Sequence, residues 1–557
     1  MDESRRRFIR NAGLGLVGTG LGIGLPRVGS SFGGFPSPGP QSWSEPGDNS
    51  PYSDMCIASA YQGKRVLEIV LYGGLSPWET FWVPELDAGC EEGNSFTSYD
   101  TGSEVLVDMK GAESFVKDFA WCDFGSGLTP TAPPDPGVVK KFGVDEDGNT
   151  IYWGPATAPL WSEEILAHAR MITFGHKDSP HELAMPIALT GQRIGDPRGA
   201  GLGAAITKAY RQSNECDVRP HAYVLTPAGF AAFRGITASI FATGSHGGAN
   251  RPVELPVGGS GLGDLFLDSQ PSDVKQAALK ALRGQYQSRL RWAADGSEVP
   301  SPQFDDYRFS ALGLENSSEL HELLGDDILK AEYGITCAQV PDEEAEKYDG
   351  LNCTARALEV AATLLDPNQG DARYVAVMDR GFRTYGGAPY DTHTDTDQKD
   401  IHIPMTQGNL FNCLSHLRHQ INLGKIDLDD TLVVLTTEMG RNPKFDETTR
   451  GRNHWPQGTV QILLGSPGES GIAGTMTPKE NNQNPGGEAK TAGEGDSFHA
   501  YHARAAVLKA AGVNPVDPSI FQASELKKVL TDENGSYDEE KLSDLIGQRL
   551  LGLPGGA

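Results

Sequence analysis

Three carboxylates, three imidazoles and one guanidinium follow the ends of short apolar runs in this chain: Glu79, Asp391, Glu438, His181, His393, His454 and Arg441. Convergence of these groups would give a mixed nitrogen and oxygen donor set, which suits zinc, manganese or iron better than magnesium or calcium. The expected cofactor is a divalent metal, zinc or manganese. Asp391, His393, Glu438, His454 and Glu79 are the candidate ligands. His181 is a candidate ligand or general acid, and Arg441 a candidate clamp for an anionic group or its transition state. Each piece also has a structural reading. Asp391-Thr392-His393 could be an Asx-turn capping a helix. Glu438 and Arg441 could pair at a strand end. His454, beside Trp455 and Pro456, could be a packed imidazole, and His181 could cap a helix beginning near Glu182.

What would bring the seven together is a sheet. Apolar runs at Val66–Tyr72, Met171–Gly175, Tyr223–Leu225, Tyr374–Met378, Leu432–Thr436 and Val460–Leu464 are bounded by glycine, proline or polar residues, as expected of strands covered on both faces. Helical patterns lie between them at 355–365 and 405–423, with another at 503–511 ended by Gly512. Strand alternating with helix predicts an α/β fold, a mostly parallel sheet flanked by helices. In such a sheet Glu79, His181, Asp391 and Glu438 would all emerge on one edge, where open α/β sheets bind ligands. A long helical pattern from Ser272 and a second near Ser318–Glu332 read as a helical insertion at about 267–335 within one α/β domain over 61–557.

Bulk properties narrow the function class. The chain has 557 residues and a formal net charge of -27, an acidic surface that repels nucleic acid. Ser4-Arg5-Arg6-Arg7-Phe8-Ile9-Arg10 precedes a Gly-rich apolar run, Ala12–Leu25. A basic segment before a short apolar one is an export signal, and paired arginines make it resemble the twin-arginine type. The apolar run is short of the ~20 residues of a membrane span. Residues 1–30 are therefore expected to be a twin-arginine signal read by its translocase, and residues 31–60 a Gly/Pro/Ser-rich linker. The expected location is periplasmic or extracellular, with no stable membrane span. The seven cysteines contain no Cys-x-x-Cys pair, which disfavours a thiolate zinc ribbon. Cys337 and Cys353 could close a loop, or all seven could be ordinary thiols. Asp145-Glu146-Asp147-Gly148-Asn149 lacks the spacing and final Glu of a calcium loop and predicts a hairpin turn. No Gly-x-Ser-x-Gly elbow is present.

The motifs taken in order resemble the exported bacterial domain-of-unknown-function 1501 family. Gly73-Gly74-Leu75-Ser76 through Glu79-Thr80-Phe81 is similar to its opening block. Ser179-Pro180-His181, Tyr390-Asp391-Thr392-His393, Glu438-Met439-Gly440-Arg441 and Gly451-Arg452-Asn453-His454 match its later blocks. That family resembles the alkaline phosphatase and sulfatase superfamily. The resemblance implies an alkaline phosphatase-like fold, one or two metals at the strand ends, and hydrolysis of a phosphate or sulfate ester in an anionic small molecule or polymer. Glu79 and Asn453 stand where the family usually carries Asp, the sulfatase Cys-x-Pro-x-Arg signature is absent, and Thr80 and Ser179 are the nearest nucleophile candidates. These departures motivate a second function class, a non-catalytic exported binding or assembly protein that retains the fold.

Overall fold

Eight strands form the central sheet of the computed structural model. In chain order they are β1 (Arg65–Leu71), β2 (Ala169–Phe174), β3 (Ala222–Pro227), β4 (Val253–Val257), β5 (Tyr374–Asp379), β6 (Thr431–Thr436), β7 (Thr459–Leu464) and β8 (Gly471–Ala473). Their order across the sheet is β4-β3-β5-β1-β6-β7-β2-β8. The structure describes residues 63–84, 139–193, 200–212, 222–227, 252–257, 353–379, 388–393, 398–443, 452–479, 486–490, 497–516 and 538–554, with single residues and short pieces elsewhere. The expected signal and linker lie outside the described residues, as does nearly all of the expected insertion at 267–335. One unit of the chain takes in Tyr52–Ala557.

The mostly parallel sheet that the patterning predicts is a mixed sheet. Five neighbouring pairs are parallel and two are antiparallel, both made by β7 against β6 and β2. The physical reason lies in the connection. A parallel return needs a crossover of a dozen or more residues, usually a helix, to carry the chain back along the sheet. Between Thr436 and Thr459 the chain instead makes a two-stranded ribbon, Gly440–Arg441 against His454–Trp455, and re-enters the sheet from the edge it left. β7 therefore starts at the edge where β1, β2, β5 and β6 end. That reversal sets His454 beside the loops that follow the four parallel-running strands.

Successive side chains point to opposite sheet faces, and both faces are covered. On one face Leu67, Ile69, Val375, Val377, Val433 and Leu435 pack against helices α3 (Cys353–Leu365) and α4 (Gln398–Asn422) and against Trp78, Trp82 and Trp153. On the other, Val66, Val70, Tyr374, Ala376, Leu432 and Val434 pack against α1 (His181–Thr190), α2 (Leu202–Gln212) and α5 (Ala500–Ala510). A charged group also sits on this second face. Glu68 of β1 accepts from Tyr374 Oη at 2.6 Å and pairs with Arg504 of α5 at 2.6 Å. Pairing is what makes such a buried charge tolerable.

The segment Asp145–Asn149 is a hairpin turn. Asp145 Oδ1 accepts from Asp147 N at 3.1 Å and Asn149 N at 2.7 Å, and the flanking segments Lys140–Val144 and Thr150–Trp153 pair antiparallel. Cys337 stands opposite Cys122 in a short antiparallel pair, while Cys353 opens α3. No helix among the described residues is long and apolar enough to cross a membrane.

Candidate metal centre

His181 reaches the sheet edge because β2 ends at Phe174 and the chain turns through Ser179-Pro180 into α1. Pro180 occupies the N-cap with extended backbone, and His181 is the first helical residue. The helix ends at Gly191, whose φ of +70° is the left-handed conformation that glycine adopts without penalty. Asp391 and His393 come from the turn after β5. Tyr390 anchors that turn by donating to Asp379 Oδ2, at the end of β5, at 2.5 Å. Asp379 also accepts from Thr354 Oγ1 at 2.5 Å and Gly381 N at 2.8 Å. His454 arrives on the two-stranded ribbon, directly opposite Arg441.

One donor atom from each of His181, Asp391, His393 and His454 lies within 4.8 Å of the others. Asp391 is the shared partner. Its Oδ2 is 3.2 Å from His181 Nε2, and its Oδ1 is 3.7 Å from His454 Nε2 and in short contact with His393 Nδ1. The imidazoles crowd one another, with ring centroids of His393 and His454 4.0 Å apart and those of His181 and His454 4.5 Å apart. Nε2 of both His181 and His454 is sealed from solvent, and the group each faces is the Asp391 carboxylate, at 3.2 Å and 3.7 Å. At 3.7 Å His454 Nε2 is beyond hydrogen-bond reach, whereas buried polar atoms are normally satisfied. Three imidazoles gathered on one carboxylate are a donor set that fits a divalent cation.

Glu438 stands behind this cluster. Its Oε1 is 2.7 Å from His181 Nδ1 and accepts from Gly73 N at 2.8 Å, and its Oε2 accepts from Thr437 Oγ1 at 3.1 Å. The carboxylate thus grips the rear nitrogen of His181 and leaves Nε2 as the forward-facing donor, the usual way a metal-binding imidazole is oriented. Sequence reasoning places Glu438 among the ligands; in the structure it stands outside the four-residue cluster and contacts it through His181 Nδ1.

Arg441 is fully buried. Its Nε donates to Gly74 O at 2.8 Å, its Nη1 to Arg452 O at 3.1 Å, and its Nη2 to Gly73 O, to Tyr390 O at 3.3 Å and to Asp391 Oδ1 at 2.9 Å. The guanidinium therefore bonds to Asp391 and to the backbone of three site loops, and the ion pair with Glu438 that the sequence suggests is not the one it makes. Glu79 is also fully buried and lies outside the four-residue cluster. It accepts from Ser76 Oγ at 2.8 Å and pairs with Arg452 Nε at 3.2 Å. Thr80 donates to Ser76 O at 2.6 Å, within the same loop.

Two features escape sequence reasoning. Gly73 has a φ of +113°, and a Cβ there would collide with Asp391 N and lie 2.8 Å from Tyr390 C. The glycine pair before Ser76 was the available signal, but its partner loop lies more than three hundred residues away. His176 is the other: its Nε2 is 2.7 Å from Glu438 O, so the residue after β2 fixes the backbone of the residue after β6.

Electrostatics follow from these contacts. Burial alone would lower the pKa of His181, but hydrogen bonding to Asp391 and Glu438 outweighs it and pushes the value up to about 9. Burial works against the Asp391 carboxylate, yet His181, His393, His454 and Arg441 together hold its pKa far below the usual carboxylate range. Glu438, also opposed by burial, is held low chiefly by His181. His454 is pushed down to about 4 by burial, so it stands neutral, with a lone pair available. His181 lies between two carboxylates, Glu438 at Nδ1 and Asp391 at Nε2, and a cation would compete with a proton for Nε2.

Fold and site together define an α/β protein with a candidate metal centre at the carboxyl edge of a mixed sheet. A family model described as "Protein of unknown function (DUF1501)" matches residues 337–485. That segment carries Asp391, His393, Glu438, Arg441 and His454, while His181 and Glu79 lie outside it. No curated protein matches the chain. Among solved structures, the chain is similar to the crystal structure of Ps i-CgsB in complex with k-i-k-neocarrahexaose, with a TM-score of 0.30 and 10% identity over 83% of this chain and 75% of that one. A likeness of that size transfers neither fold nor activity.

Proposed function

We propose that this protein is an exported metal-dependent hydrolase of phosphate or sulfate esters, built on an alkaline phosphatase-like sheet and carried out by the twin-arginine route. The observation that carries the reading is the four-donor cluster, His181, Asp391, His393 and His454, with the Nε2 atoms of His181 and His454 buried against Asp391 and a carboxylate behind His181. The donor types favour zinc or manganese. Bound there, such a cation would polarise an ester oxygen and lower the pKa of a water.

The chain's own residues have separable roles in this proposal. Asp391, His393 and His454 hold the ion, and His181 is the fourth donor. Glu438 orients His181, and Arg441 fixes Asp391 and joins the loops that carry the donors. Arg441 thus acts through Asp391 rather than by gripping an anionic group itself. Glu79 supports the Gly73–Phe81 loop through Arg452.

The test is metal analysis of protein purified after native export, followed by a panel of phosphate and sulfate esters. Stoichiometric metal with metal-dependent turnover, both lost in an Asp391→Ala/His454→Ala double variant, is the expected result. A metal-loaded protein that turns over no ester on the panel would sink the hydrolase reading and leave the exported binding or assembly protein in its place.

A further inference from the structure

We infer that the centre holds a single cation, and that the Arg441 guanidinium supplies the second positive charge that a two-metal centre would take from another ion. This inference rests on the metal reading above and sets its stoichiometry. Two-metal sites need a second set of donors ~3.5–4 Å from the first ion, and among the described residues Glu438, Glu79 and His176, which stand beside the cluster, are engaged by groups of the chain itself. Glu438 has Oε1 engaged with His181 Nδ1 and Gly73 N, and its Oε2 lies 3.1 Å from Thr437 Oγ1, whose single proton it shares with Leu71 O. Glu79 is held by Arg452 and Ser76. His176 has Nε2 against Glu438 O at 2.7 Å, and its Nδ1 accepts from Asp178 N at 3.3 Å.

The place where a second cation would share a bridging carboxylate is also occupied. Asp391 offers Oδ2 toward His181, while its Oδ1, which faces His393 and His454, also takes a bond from Arg441 Nη2, 2.9 Å away. A guanidinium is permanently charged and presents its donors in a fixed plane. With its remaining N–H groups on Gly73 O, Gly74 O, Tyr390 O and Arg452 O, it cannot swing aside without breaking the loop junction. Arg441 is therefore a built-in cation at the bridging carboxylate: it balances the charge of Asp391 and repels a second divalent ion.

Elemental analysis of the natively exported, full-length protein after dialysis, together with electron paramagnetic resonance of the manganese-loaded form, tests this. One metal per chain and an uncoupled manganese signal are expected. Two metals per chain, or an exchange-coupled signal, would overturn the inference while leaving the metal reading intact. No metal at all would remove both.

Discussion

Asp391 is the residue on which the centre turns, since three imidazoles and one guanidinium converge on its two oxygens. Glu438 makes no such contact and acts only through His181. Replacing it by Gln keeps the shape but weakens the grip on Nδ1. Glu438→Gln is therefore expected to lower metal affinity by about 10- to 100-fold, the usual cost of removing an orienting partner. Chelator competition on folded protein measures this, and an unchanged affinity would remove the orienting role. Gly73 imposes a different constraint. Its φ of +113° and the approach of Asp391 N exclude a side chain. Gly73→Ala should cost about 1–3 kcal/mol of stability through backbone strain and should also displace the Asp391 turn. A denaturant titration and a metal-binding isotherm should both shift; an isotherm that does not move would separate Gly73 from the site.

At the scale of elements, the turn after β5 is held from below by its own strand. Tyr390 donates to Asp379, which burial pushes up in pKa despite its hydrogen bonds to Thr354, Tyr390 and Gly381. Tyr390→Phe removes one donor from a buried acceptor, a change that costs about 1–3 kcal/mol. The melting temperature should fall, and metal affinity should fall with it because Asp391 is the next residue. A variant as stable as the parent would show that the Tyr390–Asp379 bond does not anchor the turn. The ribbon of Gly440–Arg441 and His454–Trp455 works in the same way: Trp78 Nε1 donates to Arg441 O at 2.7 Å, which ties the loop after β1 to the loop after β6.

Across the whole molecule, stability depends on histidines outside the four-residue cluster. Burial pushes His416 of α4 down to about 3, with His419 adding to the effect, and pushes His502 of α5 down to about 3, with His499 and Arg549 adding. Below an ordinary imidazole pKa of about 6.5, the unfolded chain takes up these protons and the folded chain does not until about pH 3. Stability is therefore lost as pH falls through that window and is unaffected by these groups above it. Between pH 7.5 and pH 5 each histidine should lower unfolding free energy by on the order of 2 kcal/mol, or on the order of 4 kcal/mol for the pair. Chemical denaturation at the two pH values measures the drop. A His416→Asn/His502→Asn variant should show a smaller one, and equal pH sensitivity in parent and variant would rule these groups out.

The sequence by itself determined six of the eight strands, because runs such as Leu432–Leu435 are apolar throughout and must be buried on both faces, while Val253–Val257 and Gly471–Ala473 carry no such run. It also marked His181, Asp391, His393, Glu438 and His454 as polar residues that come after such runs. It could not divide those residues between direct and indirect roles. Glu438 and Glu79 are the same side chain in the same kind of loop, yet one orients an imidazole and the other pairs with Arg452. That division depends on which partner lies within ~3 Å, set by contacts between residues hundreds of positions apart. The reversal of β7 was likewise hidden, since an apolar strand reads the same in either direction. Only the tertiary structure decided that the chain turns back at the site edge, and that turn is what carries His454 to Asp391.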